Sequence, residues 1–129
     1  MKTTIEWEKG FLRYAFEGDW DWDEFYQSLE RGRTPDPKNP ADVILDFRDV
    51  TNIAPDAVLR FKPAAQMAEQ NKRRYIVVAR SSAIQTIFML FIRIYSNLAT
   101  RFYMVNTLED AYNLLSRPDH AASVNPEIA

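Results

Sequence analysis

The sequence contains no cysteine, only three glycines and a single histidine among its 129 residues. Without cysteine there is no disulfide framework and no cysteine-based zinc or redox site, which fits a reducing compartment and leaves packing as the source of stability. Three glycines are too few for the glycine-rich loops that cradle nucleotide phosphates. The lone histidine, His120, assembles neither a catalytic triad nor a histidine metal site.

The sequence also lacks a large excess of positive or negative charge and any long apolar run. The formal net charge is −2 and the pI is near 5.4, so no general attraction to nucleic acid or anionic membranes is expected. The amino terminus has no apolar secretory core, and no run reaches the ~20 apolar residues that cross a bilayer. We therefore expect a cytoplasmic protein with no nucleic-acid partner and no membrane span.

What the chain does have is apolar and aromatic residues, at 47% and 13% of the sequence. This content and length suit one well-filled core and are too small for two ordinary domains. We expect a single domain over residues 1–118. The remaining residues, 119–129, have little to bury and are expected to form a flexible tail.

Alternation, helical spacing and capping residues predict the order β-β-α-β-α-β-α-β-α, an α/β fold with a mostly parallel sheet flanked by helices. Asp21, Ser81 or Ser82, and Thr107 are the expected helix caps. Pro63 should bend or split the second helix. The strands are expected near residues 4–7, 11–16, 42–47, 74–79 and 102–105, and the helices near 22–31, after 55, at 82–99 and at 107–116.

Three carboxylates, Asp46, Asp49 and Asp56, fall near the carboxyl end of the expected central strand, where α/β sheets commonly bind ligands. They suggest either a magnesium-dependent phosphoacceptor site or carboxylates that cap turns and helices. A receiver-type site also needs an acidic pair after the first strand and a lysine after the last. The chain has Glu8-Lys9-Gly10 and Asn106-Thr107 there, so the capping interpretation is favoured and no metal or cofactor is expected.

Three segments resemble the STAS superfamily of anti-sigma-factor antagonists and its SpoIIAA-like relatives. Residues Val43 to Ile53 are similar to the family's apolar strand, aspartate and "V-T-x-I" loop. Arg74 to Ala79 resembles the next core strand, and Phe102 to Ala111 resembles the closing strand and the helix start after it. The resemblance implies a STAS-like fold and a regulatory role through protein contacts.

In antagonist-type members an Asp-Ser-Ser-Gly turn follows this loop, and a partner kinase phosphorylates its second serine. Aligned on the "V-T-x-I" match, Asp56 occupies that position. Its permanent charge would partly imitate a phosphoserine at a helix start, although a simple helix-terminal carboxylate is the preferred interpretation. The resemblance implies that Thr51, Asn52, Asp56 and Ala57 form a partner-binding loop.

The helix after Ser82 carries more apolar residues than one face needs. A helical wheel assigns one set to the core: Ile84, Ile87, Phe88, Phe91, Ile94, Tyr95 and Leu98. Met89, Leu90 and Ile92 fall outside this set, together with Arg93. They predict either a partner-binding face, including a homodimer interface, or a helix that is buried on more than one side.

Two further groups are ambiguous. Lys72-Arg73-Arg74, with Arg80, Arg93 and Arg101, offers positive charge to a phosphate or an acidic partner, but solvated helix ends explain most of it. Spacing assigns Trp22 and Phe25 to the core and leaves the role of Trp20 open.

The leading functional hypothesis is a non-enzymatic, STAS-like regulatory domain that binds a protein partner of unknown identity and lacks the usual phosphorylatable serine. The alternative is a SpoIIAA-like protein that binds a small apolar ligand or lipid. A magnesium-dependent phospho-switch at the three aspartates is the weakest of the three hypotheses.

Overall fold

The computed structural model describes residues 1–8, 10–32, 41–54 and 56–116. The predicted order of elements and the mixed α/β architecture are confirmed. His120 and the expected tail lie outside the described residues. The elements are β1 (Lys2–Glu8), β2 (Phe11–Asp19), α1 (Trp22–Arg31), β3 (Asp42–Thr51), α2 (Ala57–Arg60), α3 (Lys62–Asn71), β4 (Tyr75–Val78), α4 (Ser82–Ile94), β5 (Phe102–Val105) and α5 (Leu108–Leu115).

The five strands form one sheet in the order β1-β2-β3-β4-β5. The β1 strand pairs with β2 as an antiparallel hairpin, and Gly10 takes the positive φ of 84° that this turn needs. All other neighbouring strands are parallel. The carboxyl ends of β2 to β5 therefore meet along one side of the sheet, which we call the carboxyl edge.

The predicted caps start three of the helices. The Asp21 carboxylate accepts hydrogen bonds from the backbone N–H groups of Asp23 and Glu24, at 2.9 and 3.2 Å. The Ser81 and Thr107 hydroxyls each accept one from the third residue along the chain. These side chains satisfy N–H groups that have no partner within their own helix, so local sequence fixes where α1, α4 and α5 begin.

The second helix is split, as predicted, next to Pro63. The α2 helix ends at Arg60, and α3 begins at Lys62 with Pro63 in its first turn. A proline there loses nothing, because N–H groups in a first turn have no helical partner. Between the two helices Phe61 is fully buried, with its ring centroid 4.6 Å from that of Phe88 and 4.8 Å from that of Trp22.

The two faces of the sheet are covered differently. Helices α1 to α4 pack on one, which we call the helical face, and enclose a large cluster of buried side chains. Aromatic rings dominate this cluster, and tilted or edge-to-face contacts link them. Its six phenylalanines with the lowest exposure are Phe16, Phe25, Phe47, Phe61, Phe88 and Phe91.

Of the elements that the structure describes, α5 alone covers the other face, which we call the α5 face. Its buried apolar cluster is small: Ile44, Ile76, Val78 and Ala111. The Arg74 guanidinium, in a residue that is 4% exposed, donates twice to one carboxylate oxygen of Asp42 and to the backbone carbonyls of Leu114 and Leu115, and the Arg74 backbone N–H donates to the other Asp42 oxygen. A buried arginine therefore ties the end of α5 to the sheet.

The rest of the α5 face is charged. Arg13 pairs with Glu6 and Glu8 of the neighbouring strand, and the Tyr112 hydroxyl also donates to Glu8 at 3.1 Å. Hydrogen bonding to Glu8 is the main reason that the pKa of Arg13 is raised. Arg48 next to this group binds Asp46, so charges of both signs alternate across the sheet.

Several burial predictions were wrong. The α4 helix ends at Ile94 instead of reaching residue 99, and Ile94 is 58% exposed although the wheel assigned it to the core. Ile92, predicted outside the core, is half-buried and packs against it. Arg73 and Arg74 are buried and do not form a solvated basic cluster. The open question about Trp20 has an answer, since its ring stacks on Phe47 at 4.8 Å.

Among the helices of the described residues, none combines the length and apolar character that crossing a bilayer requires.

Candidate functional site

The loop between β3 and α2 lies at the carboxyl edge and is held from the end of β2. Asn52 takes a left-handed conformation with φ of 50°. One carboxylate oxygen of Asp19 accepts hydrogen bonds from the Thr51 hydroxyl at 2.8 Å and the Asn52 amide at 2.9 Å. These two bonds hold the pKa of the Asp19 carboxyl below its ordinary value. We call this arrangement the Asp19 latch.

Asp56 begins α2 through its backbone and not through its side chain. Its carbonyl accepts from the N–H groups of Leu59 and Arg60, but its carboxylate makes no cap hydrogen bond. The carboxylate instead accepts from Arg60 Nε at 3.0 Å, and both side chains are about half exposed (52% and 55%). Asp56 is therefore a helix-terminal carboxylate, as the preferred interpretation had it, but its side chain does not cap the helix. Asp56 presents an ion pair to solvent.

The four predicted loop residues do not share one environment. Thr51, Asn52 and Asp56 are exposed, whereas Ala57 is fully buried in the core of the helical face. Ala57 is therefore unavailable to a partner, because the first turn of α2 packs inward.

The three aspartates of the sequence pattern have separate roles. Asp46 is 4% exposed, and its two oxygens accept from Arg48 at 2.9 and 2.8 Å, with Arg13 at 3.9 Å. Asp49 is exposed and lies 3.8 Å from Arg80. Within the described residues no group of three histidine, cysteine or acidic side chains is placed to hold a metal ion. The carboxylate of Asp46 is already engaged by arginine.

Large apolar side chains are exposed on α2 and α4. Leu59 of α2 is 62% exposed, and Met89, Leu90 and Ile94 of α4 are 57%, 42% and 58% exposed. The α2 helix contacts α4, so all four side chains lie on the helical side of the sheet. We call them the apolar patch. Surfaces of this kind mark interaction sites when they are contiguous.

A groove of about 430 Å³ lies between α1 and the α2–α3 break. The Tyr26 hydroxyl donates to the backbone carbonyl of Arg60, and burial raises the pKa of Tyr26. The Arg60 guanidinium lies over the Trp22 ring, 5.9 Å from its centroid. The residues that line the groove are Trp22, Asp23, Tyr26, Gln27, Leu59, Arg60 and Pro63.

The sequence did not reveal this groove. Trp22 was assigned to the core, and it does pack there, but it remains half-exposed and forms one wall. The available signal was the polar pair Asp23 and Gln27, which follows the aromatic pair Trp22 and Tyr26 by one position along α1. Aromatic residues next to polar residues along one edge of a helix are typical of a groove wall that is open to solvent on one side.

Comparison with solved structures identifies the fold. The chain is similar to the anti-sigma factor antagonist SpoIIAA in its unphosphorylated form, with a TM-score of 0.60 and 14% identity over 89% of this chain and 96% of that one. It is also similar to an uncharacterized DUF3478-family protein with a SpoIIAA-like fold from Shewanella loihica PV-4. That match has a TM-score of 0.56 and 13% identity, over 88% of this chain and 92% of the other.

The chain therefore has a SpoIIAA-like, STAS-type fold, as its sequence resemblance implied. No protein-family model and no curated protein matches the sequence.

Proposed function

We propose that this chain is a non-enzymatic regulatory domain that works in the cytoplasm by binding another protein at its carboxyl edge. The fold supports the proposal, because one similar structure is that of an anti-sigma factor antagonist. At 14% identity that likeness concerns the fold alone, so the argument for binding rests on the site itself.

The observation that carries the proposal is an exposed loop that leads into α2, which contacts the helix α4 that carries most of the apolar patch. Thr51, Asn52 and Asp56 are open to solvent on a loop whose shape the Asp19 latch fixes. Met89 and Leu90, together with the charged Arg93, are exposed on α4. Polar and apolar groups on one rigid surface are what protein interfaces combine.

Asp56 gives this surface a fixed charge pattern. Aspartate has no hydroxyl for a kinase, so the surface would not be switched by phosphorylation at this position. Its carboxylate is paired with Arg60, which makes it a weaker imitation of a phosphoserine than an isolated carboxylate would be. We therefore expect constitutive binding.

Capture of partners from the native cytoplasm tests the proposal. Asp56→Lys, which places a cation beside Arg60, should reduce the recovered partner at least about tenfold, whereas Glu69→Lys should leave it within about twofold. The two acidic residues are matched because both are exposed and lie near an arginine, but Glu69 is in the last turn of α3, where the chain returns to the start of β4 at the opposite edge of the sheet. Equal losses in both variants, or no specific partner at all, would contradict the proposal.

In one version of this proposal, the partner is a second copy of the chain, which binds through α4 to form a homodimer. Met89→Glu should shift the mass measured by light scattering toward the monomer without changing the melting temperature by more than a few degrees. Trp7→Glu is the control, since Trp7 is a similarly exposed apolar residue (52%) on the edge strand. If Met89→Glu unfolds the protein, α4 is core on both sides and the interface is wrong.

The alternative prediction is that the protein binds a small apolar ligand or lipid. Native mass spectrometry of the purified protein is the direct check. A co-purified mass that organic extraction removes would favour this alternative over protein binding.

A further inference from the structure

The groove between α1 and the α2–α3 break contains none of the exposed loop residues of the proposed function and shares only Leu59 with the apolar patch. Two aromatic rings form part of its lining. The Trp22 and Tyr26 rings are nearly parallel, at 23° with centroids 6.2 Å apart, and Pro63 closes one side. Leu59, the most exposed large apolar residue described, contributes its side chain to the rim.

Contacts within the chain hold the two sides of the groove together. The hydrogen bond from Tyr26 to the carbonyl of Arg60 connects its two sides, and the Asp56 carboxylate holds the Arg60 side chain beside Trp22. Trp22 is fixed from below by the buried ring of Phe61. Preformed walls lower the entropy cost of binding, and the volume is within the range of sites that hold ligands.

The charge around the groove is slightly acidic. Asp23 lines it, and Asp21 caps the same helix beside it. Among the described lining residues Arg60 is the one cation, and its charge is paired with that of Asp56, while α3 begins with Lys62. A ligand that carries positive charge beside an apolar group complements this surface, whereas an acidic ligand meets like charge.

We infer that this groove binds a peptide segment of a partner protein in which an apolar anchor side chain is flanked by lysine or arginine. The inference rests on the proposed function, for which it names a contact and a chemistry. The anchor packs against Trp22, Tyr26 and Leu59. The flanking cations face Asp23 and the neighbouring Asp21.

A library of short random peptides, selected on the immobilised full chain, tests the inference. We expect the selected peptides to share an apolar residue next to lysine or arginine, and to lose at least about tenfold in affinity when that apolar residue is replaced by alanine. On the protein side, Leu59→Lys and Asp23→Lys should each weaken binding by a similar factor.

Glu109→Lys is the matched control for Asp23→Lys, because each residue is an acid in the first turn of its helix but Glu109 belongs to α5 across the sheet. It should leave the affinity within about twofold. The indole N–H signals in an NMR spectrum give a second measurement, since Trp22 lines the groove and Trp7 lies on β1. The peptide should move the Trp22 signal and not that of Trp7.

The inference is overturned if no peptide is enriched, if acidic peptides are enriched instead, or if both groove variants bind as well as the parent chain. The proposed function fails separately. A partner captured from the cytoplasm whose binding depends on Asp56 and Met89 but not on Asp23 would keep the proposed function and remove this inference.

Discussion

The two faces of the sheet show two ways in which the same strands can be stabilised. On the helical face, four helices bury interlocking aromatic rings, and each buried apolar side chain contributes roughly 1.5–3 kcal/mol. On the α5 face, one short helix covers a small apolar cluster, and arginine–carboxylate pairs occupy much of the remaining surface. Partly exposed pairs contribute little to stability. The helical face therefore carries most of the stability, and the candidate site is built on that face.

The largest expected effect comes from removing the ring at the centre of the helical face. Phe61→Ala should lower the free energy of unfolding by about 3–5 kcal/mol, because it leaves a cavity among Phe47, Phe88 and Phe91. Urea denaturation measures the change. Tyr112→Ala on the α5 face, where the ring is 37% exposed, should cost clearly less. Equal losses would mean that the two faces contribute alike.

On the α5 face the most sensitive position should be Arg74. Arg74→Met should cost about 3 kcal/mol, since it removes the guanidinium from Asp42 and from two α5 carbonyls and leaves Asp42 only the backbone N–H of residue 74. The double variant with Asp42→Asn should cost less than the sum of the two single changes, because the abandoned charge is gone. Additive losses in urea denaturation would show that the buried pair is not coupled.

At alkaline pH, ionisation of Tyr14 on the helical face should lower the free energy of unfolding more than ionisation of Tyr112 on the α5 face. Burial raises the pKa of Tyr14 from its ordinary 10.0 to about 12. The unfolded chain therefore ionises first, so stability that is fully present below pH 10 is lost as the pH approaches 12, by roughly 2–3 kcal/mol.

Tyr14→Phe tests this expectation. It should lower stability at neutral pH by about 1 kcal/mol, because it removes the hydrogen bond to the carbonyl of Gly32, but it should flatten the alkaline decline. Tyr112→Phe should change the decline less, since the Tyr112 ring is partly exposed. Denaturant titrations at a series of pH values compare the variants. If stability falls equally steeply with pH in the Tyr14→Phe and Tyr112→Phe variants, the alkaline loss does not come from Tyr14.

The smallest expected effect is at the edge of the charged network. Glu6→Gln should change the free energy of unfolding by less than about 0.5 kcal/mol, because the pair is solvated and Arg13 keeps its bond to Glu8. Any loss should shrink further when salt is added. A loss above about 1 kcal/mol that persists at high salt would show that the network is a stabilising unit.

The elements of the fold could be predicted because their signals are local. Asp21, Ser81 and Thr107 mark helix starts by hydrogen bonds within a few residues, and Pro63 limits a helix by its own covalent structure. Apolar strands between these starts then follow the expected order. Nothing about distant neighbours was needed.

The site could be predicted less well, because its properties depend on contacts between distant residues. The wheel placed Ile94 inward by assuming that α4 continues to residue 99, but the helix ends at Ile94 itself and leaves that side chain exposed. Asp46 was grouped with Asp56, yet the pleat of β3 turns Asp46 toward Arg48 on the α5 face. Only the assembled sheet shows which arginine meets which carboxylate.

The Asp19 latch has a consequence for how this surface can change. The bend after β3 is shaped by Asp19, Thr51 and Asn52, while residue 56 contributes only its backbone to the helix start and its side chain to an exposed pair. The shape of the bend and the charge at the helix start therefore depend on different residues. A single replacement of Asp56 by serine would thus place a hydroxyl at the start of α2 without altering the contacts that shape the bend.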